Sequence, residues 1–180
     1  MNIFALDRDP ATCARYHVDA HVVKMILESA QMMCTVASMH GQQVPYRPTH
    51  KNHPCTVWAG QSVGNWMWLR NLCMWLNNEY RIRFGHTKNH ASWEVIRDLE
   101  VPKQMPDIGR LCFVQAMPQE YRYTDSVIAY RRYYARDKKA IHKWTVREKP
   151  EWLEKFSAES FDDGDKDDYT FFEVLTNYLQ

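Results

Sequence analysis

Residues 17–35, HVDAHVVKMILESAQMMCT, constrain this chain more than any other stretch. Laid out as a helix at about 100° per residue, they put His17, His21, Lys24, Glu28, Gln31 and Thr35 in a stripe roughly 80° wide. Around that stripe stand Val22, Val23, Met25, Ile26, Leu27, Ala30, Met32 and Met33. A surface helix shows the reverse, an apolar stripe on a polar cylinder. The helix is therefore expected in the interior, its polar line facing a cleft or satisfied by neighbours, because an unpaired buried charge costs several kcal/mol. Lys24 and Glu28 form a ready (i, i+4) pair, which fits a purely structural stripe. So many ionisable and amide groups in register on an apolar helix point instead to a site, where perturbed titrating groups collect. Asp19 is a capping residue type, which would put His17 just ahead of the first turn.

At 180 residues the chain is long enough for one domain with a sizeable core. With 45% hydrophobic residues, seven Trp and ten Tyr, it is globular rather than disordered. No run of about 18 uncharged apolar residues occurs, so no membrane span is expected. MNIFALDRDP lacks the basic and apolar regions of a signal peptide, which leads us to expect a cytosolic protein. The five cysteines are single, with no CxxC pair, and are expected as buried apolar residues rather than a disulfide framework or zinc site. Net charge is only +1, yet residues 122–149 are strongly basic and 159–168, ESFDDGDKDD, strongly acidic. That segregation fits a surface facing a polyanion.

Taken in order, Asp9-Pro10 reads as the cap and first turn of a short helix through about Tyr16. The long helix ends near His40-Gly41, where glycine suits a left-handed position. QQVPYRPTHKNHP, 42–54, is a loop. Helical spacing resumes at about Pro54 and continues, with Trp58, Trp66, Leu69, Leu72, Cys73, Leu76 and Tyr80, to a stop at Gly85; this stripe reads as core. Residues 90–100 form another helix, and 111–121 a strand, helix or irregular core segment. A helix from Thr124, its cap, to Lys139 precedes a basic, aromatic segment, and a last amphipathic helix spans 169–179. The expected fold is all-α, one compact domain over 1–180.

Two further clusters carry chemistry. Thr49, His50, Lys51, Asn52 and His53 immediately precede a helix start, where free N–H groups and the dipole favour phosphate; the alternative is a loop stitched by side-chain to backbone bonds. Tyr130, Arg131, Arg132, Tyr133 and Tyr134, with Arg136, Lys138, Lys139, Lys143, Trp144 and Arg147, offer cations for phosphates and rings for unpaired bases. Equally, Tyr130 and Tyr134 can pack inward. His17/His21 and His50/His53 have chelating spacings, but no HExxH pattern occurs and Lys24 would repel a cation, so no metal is expected. Gly-rich phosphate loops, GxSxG elbows and dinucleotide fingerprints are missing from the sequence.

DRDPATCARYHVDAHVVKMILESAQMM, YRPTHKNHPCTVW and FVQAMPQEY with AYRRYY together resemble a family of small phage DNA-modification proteins, the α-glutamyl/putrescinyl thymine pyrophosphorylases or amino acid:DNA transferases. The resemblance spans about residues 1–152 and leaves 153–180 as an acidic loop and C-terminal helix. It implies an all-helical transferase in the cytoplasm of an infected bacterium. The substrate would be 5-hydroxymethyluracil in DNA, phosphorylated or pyrophosphorylated by a partner DNA kinase; an amino acid or other amine would displace the phosphate without a cofactor.

The residue types suit that reaction. His21 or Glu28 would deprotonate the amine, and Asp19 would orient an imidazole or cap the helix. His50, Lys51 and His53, with Thr49 and Asn52, would neutralise the leaving group. Lys24 would hold the leaving group or a donor carboxylate, while His17 and Gln31 would contact base or amine. Tyr130, Tyr133, Tyr134 and Trp144 would stack on a flipped base, and Arg131, Arg132 and Lys143 would hold the DNA backbone. Two other readings remain open: a DNA glycosylase or lyase using Lys24 as Schiff-base nucleophile, and a non-catalytic nucleic-acid-binding protein.

Overall fold

The helices begin where the sequence supplies their caps. Asp9 accepts the Thr12 N–H, and Pro10 opens α1 (Pro10–Tyr16). In the computed structural model, which describes residues 1–158, α2 (Asp19–Met39) follows at once. It stops at His40, and Gly41 beyond it adopts φ +80°, a left-handed turn that a Cβ would strain. Asp19 is not its cap, contrary to expectation. Val18 holds that position, because the Asp19 carboxylate is drawn off to Arg83 and to Thr145, stronger partners than one backbone N–H.

The periodic stretch from Pro54 to Gly85 is two helices, α3 (Pro54–Gly60) and α4 (Val63–Phe84), broken at Gln61-Ser62. Ser62 caps α4 through the Asn65 N–H, and the free Val63 and Gly64 N–H groups donate to the carbonyls of Pro106 and Ile108. The 106–110 loop comes so close that a Cβ on Gly64 would stand 2.4 Å from the backbone at Gly109 and Arg110. Gly85 ends α4 at φ +65°. After α5 (Ala91–Asp98), residues 111–118 run without regular structure into a 3-10 turn at Gln119–Tyr121. Next comes α6 (Ser126–Asp137), capped by Asp125 rather than by Thr124, since the Asp125 carboxylate reaches the Val127 N–H. α7 (Trp152–Ala158) buries Trp152, Leu153 and Phe156, so residues 153–158 are helix where an acidic loop was expected. The acidic 159–168 segment and the helix expected at 169–179 lie outside the described residues. Among the described residues the only regular structure is helical.

α4 lies against α1 and α2, α3 and α5 pack on α2, and α6 pairs with α7. Trp58, Trp66, Leu69, Leu72, Cys73 and Leu76 all point into this core, as their spacing required. α2 packs against α3, α4 and α5 and buries most of its circumference. It is not wholly enclosed, for Val23 and Leu27 are 38% and 40% exposed. Four cysteines are buried as expected, whereas Cys112 is exposed on the irregular segment.

A buried ionic node fixes where α2 begins. The Arg83 guanidinium, on the last turn of α4, donates to Glu79 (2.8 Å), Asp19 (3.2 Å) and the carbonyls of His17 (2.7 Å) and Arg15 (2.8 Å). Glu79 also receives Arg147 through two bonds, and Asp19 receives the N–H and hydroxyl of Thr145. Burial would raise both carboxyl groups, and these bonds outweigh it, so both lie below the usual carboxylate range. Asp19 therefore serves as an anchor between α2, α4 and residues 143–147.

Candidate functional site

The polar stripe of α2 opens on a cavity of about 290 Å³. His21, Lys24, Met25 and Glu28 form its α2 wall; Met1, Asn2 and Phe4 enter from the first residues, Ala116 from the irregular segment, and Tyr133 and Lys138 from the end of α6. Three stretches far apart in sequence thus face one helix. Their register is set by side chains reaching across. Tyr130 bonds the Val114 carbonyl (2.8 Å) and Asn2 (3.2 Å), and Asn2 donates to the Ala116 carbonyl (2.9 Å).

Glu28 is the cavity's carboxylate. It is 8% exposed and accepts the Asn2 N–H at 2.9 Å, with Lys24 Nζ at 3.3 Å and the Met1 nitrogen at 3.8 Å. Lys24 is largely exposed, its stem along the helix and its ammonium at the cavity rim.

His21 is 6% exposed and stacked on Phe4, ring centroids 4.5 Å apart and 14° from parallel. Burial, reinforced by the charges of His17, Lys138 and Lys24, pushes its pKa down to about 3, so the ring is neutral at pH 7. Its Nδ1 lies 2.9 Å from the Tyr134 hydroxyl, which also accepts the Val18 N–H at 2.9 Å. Among the described residues that hydroxyl has no acceptor other than Nδ1, and donating to it assigns the His21 hydrogen to Nε2. This tautomer makes His21 a hydrogen-bond donor toward the cavity rather than the base expected from the sequence.

Tyr133 stands across Phe4, centroids 6.2 Å apart, and Lys138 lies over its ring at 4.7 Å. Lys138 belongs to the basic, aromatic stretch singled out in the sequence as a DNA-facing surface; its place opposite the α2 stripe was not foreseen. Burial acts to lower its pKa, and the neighbouring Asp137 and Tyr133 outweigh it, so the ammonium stays charged. The signal available in sequence was its place directly after a helix ending in alternating Arg and Tyr, where a C-terminal cation reaches back over the last turn.

The remaining expected site residues fall elsewhere. His17 is fully buried behind the cavity, with Nδ1 on the Cys13 carbonyl and Nε2 unpartnered; burial lowers its pKa to about 4. Gln31 is half-buried and lies beyond the cavity wall. The 49–53 loop is stitched to α2: Thr49 N–H and carbonyl both bond the Thr35 hydroxyl, and Thr49 Oγ1 meets His50 Nδ1. His53 caps α3 by accepting the Cys55 N–H, so that helix start is already occupied. Lys51 opens on a different hollow of about 220 Å³, beside Val36, Met39 and Val57. Asn52 is exposed. The Glu28 charge bears on His53.

The expected DNA-contacting group is likewise corrected. Tyr130 and Tyr134 are fully buried, and Trp144 is 9% exposed with its Nε1 on the Tyr16 carbonyl. None presents a face to a base. Arg131 is tied to the Leu6 carbonyl and Asp7, and Arg132 is buried over the Tyr123 ring. Helical period explains both outcomes: Tyr130 and Tyr134 share the inward face at i, i+4. Lys143 is exposed, and of the ring candidates Tyr133 alone lines the cavity.

Three larger depressions lie outside this centre. One of about 370 Å³ holds Arg8, Arg110 and Cys112, with Arg8 bound to Asp125; another, about 500 Å³, holds Arg15 and Arg147, the latter committed to Glu79; the third, about 320 Å³, lies between Pro45 and the α5 residues Glu94, Val95 and Asp98. None gathers buried polar side chains as the α2 cavity does. Among the described residues no helix is long and apolar enough to cross a membrane. No protein-family model, curated protein or solved structure matches the chain.

Proposed function

We propose that the protein transfers an amino acid or another amine onto phosphorylated or pyrophosphorylated 5-hydroxymethyluracil in DNA. The observation that carries this reading is the α2 cavity, where a carboxylate, two ammonium groups and a neutral imidazole surround a space bounded by Phe4 and Tyr133. At about 290 Å³ it is at the small end of ligand sites and suits one extruded base with its substituent. Glu28 takes a proton from the attacking amine. The nitrogen lone pair forms the new C–N bond at the 5-methylene carbon, and the C–O bond breaks with its electron pair leaving on phosphate. His21 donates from Nε2 to the pyrimidine carbonyl, which increases electron withdrawal from that carbon. The reading requires a DNA kinase that acts on 5-hydroxymethyluracil beforehand, and it places the protein in the cytoplasm of an infected bacterium.

One observation favours a second reading, lyase chemistry: Lys24 Nζ stands 3.3 Å from the Glu28 carboxylate, an amine beside a base. A single experiment separates the two. DNA containing 5-phosphomethyl- or 5-pyrophosphomethyluracil is incubated with the protein and a pool of amino acids and polyamines, and its nucleosides are weighed by mass spectrometry. A mass gain equal to one amine less water, relative to 5-hydroxymethyluridine, supports transfer and names the donor. Free base, or a borohydride-trapped protein–DNA adduct, supports the lyase. Unchanged DNA that the protein still binds leaves a non-catalytic binder.

A further inference from the structure

The loop that looked like a phosphate cradle uses its groups on itself, which leaves the transfer reading without a place for the departing anion. The cavity supplies one. Lys24 comes from α2 and Lys138 from the residue after α6, two elements that meet only in space, and both line the same 290 Å³. Both charges bear on the His21 ring between them.

The charge balance inside the cavity favours an anion. Its one lining carboxylate, Glu28, is already matched by Lys24, the Asn2 N–H and the nearby Met1 nitrogen. Lys138 is held by its sequence neighbour Asp137, at 2.8 Å, and by the face of the Tyr133 ring, which carries no charge of its own. That carboxylate is 43% exposed and stands outside the cavity lining, so the pairing is of the weak surface kind and yields to a multivalent anion. His21, neutral and with hydrogen on Nε2, adds a donor without adding charge.

We propose that Lys24 and Lys138 together bind a phosphate-class oxyanion, the phosphate or pyrophosphate released in the reaction. The inference rests on the transfer reading for its role, while the site itself stands on the cavity. It moves the leaving group from residues 49–53 to the junction of α2 and α6. Lys138 touches the departing group and Glu28 the incoming one, while Lys24 stands 3.3 Å from Glu28 between the two roles.

The test is calorimetric titration of the full chain at pH 7 with inorganic pyrophosphate, in wild type, Lys138→Gln, Lys138→Arg and Lys51→Gln, each first checked by thermal melting. Pyrophosphate binding about tenfold or more weaker in Lys138→Gln, the loss of one charge-assisted bond, is expected. Lys138→Arg should retain most of the affinity and Lys51→Gln all of it. Three results overturn the site: no saturable binding to wild type, Lys138→Gln binding as tightly as wild type, or loss of binding in Lys51→Gln. Glycine serves as a second probe. If Lys138→Gln weakens glycine and spares pyrophosphate, the lysine holds a donor carboxylate and the proposal fails. Binding needs no turnover, so the two readings fail separately. The expected titrations in a protein that adds no amine to DNA would sink the transfer reading alone, and amine addition with unaltered Lys138→Gln titrations would sink the anion site alone.

Discussion

Replacing Arg83 by Met tests whether the buried node at the foot of α4 sets the start of α2. The guanidinium is fully buried and makes four hydrogen bonds, to Glu79, Asp19 and the carbonyls of Arg15 and His17. Removing one member of a buried ion pair costs about 3–5 kcal/mol, because its partner keeps its charge without compensation. Here the partners are not left bare: Glu79 retains two bonds from Arg147, and Asp19 retains Thr145. That places the ionic part near the lower end, about 3 kcal/mol. The two orphaned carbonyls add about 2 kcal/mol. A loss of about 5 kcal/mol is a large share of the 5–15 kcal/mol typical of a domain. Urea unfolding followed by tryptophan fluorescence reads it directly. Arg83→Lys should recover little, since one ammonium does not span four acceptors on three sides. A loss below about 1 kcal/mol for Arg83→Met, with an unchanged urea dependence, would refute the assignment of this node as the anchor.

Four further outcomes are expected. Tyr134→Phe strands the Val18 N–H and His21 Nδ1 and should cost about 2–4 kcal/mol; nitrogen NMR of the wild type should show Nε2 as the protonated nitrogen of His21, and a protonated Nδ1 would contradict the tautomer. Acid should destabilise the fold early. His17 and His21 fall from 6.5 when unfolded to about 4 and about 3 when folded, so the unfolded chain binds the extra protons. Their contribution is complete above pH 6.5 and declines as pH falls from there through about 4 for His17 and about 3 for His21, so the first part of the loss precedes titration of the carboxylates with lowered pKa. At about 1.4 kcal/mol per unit the pair is worth several kcal/mol, and stability that stays flat from pH 7 to 5 would rule this out. Gly64→Ala forces the 106–110 loop away from α4 and should cost about 2 kcal/mol in denaturant unfolding despite alanine's better helix propensity, whereas a stabilised variant would show that the loop yields freely. Glu28→Gln keeps the Asn2 bond and should lower amine transfer by about a hundredfold or more with little change in melting temperature; undiminished turnover would remove Glu28 from the proton transfer.

Most of the fold was legible because its signals are local. Asp9-Pro10, Gly41, Pro54 and Gly85 mark boundaries through backbone chemistry alone, and the Trp66, Leu69, Leu72, Leu76 spacing declares its buried face. Half of the candidate site was legible for the same reason, since His21, Lys24 and Glu28 share one helix face. Its other half comes from Phe4, Tyr133 and Lys138, whose convergence depends on how α6 packs, and periodicity carries no information about that. The run of Arg and Tyr around residue 131 misled because charge was read without phase. Tyr130 and Tyr134 lie one turn apart and go inward, while Arg131 finds Leu6 and Asp7 near the opposite end of the chain. The caps at Asp19 and Thr124 failed by a residue for different reasons: Arg83, distant in sequence, draws off the Asp19 carboxylate, whereas Asp125, next to Thr124, makes the local cap to the Val127 N–H.

The cavity's walls also impose an order on folding. Asp19 N–H reaches the Lys143 carbonyl, Tyr130 reaches Asn2, and Arg147 reaches Glu79, so each closing contact joins segments separated by tens to more than a hundred positions. Contacts of such sequence separation form late, after the loops between them have lost their freedom. During synthesis α2 is therefore complete as a helix long before its polar stripe has anything to face. It stays without a pocket until Tyr133 and Lys138 have left the ribosome. A chain halted before that point would present His21, Lys24 and Glu28 to solvent with an apolar helix around them, and would be a target for chaperones and proteases rather than a partly formed site.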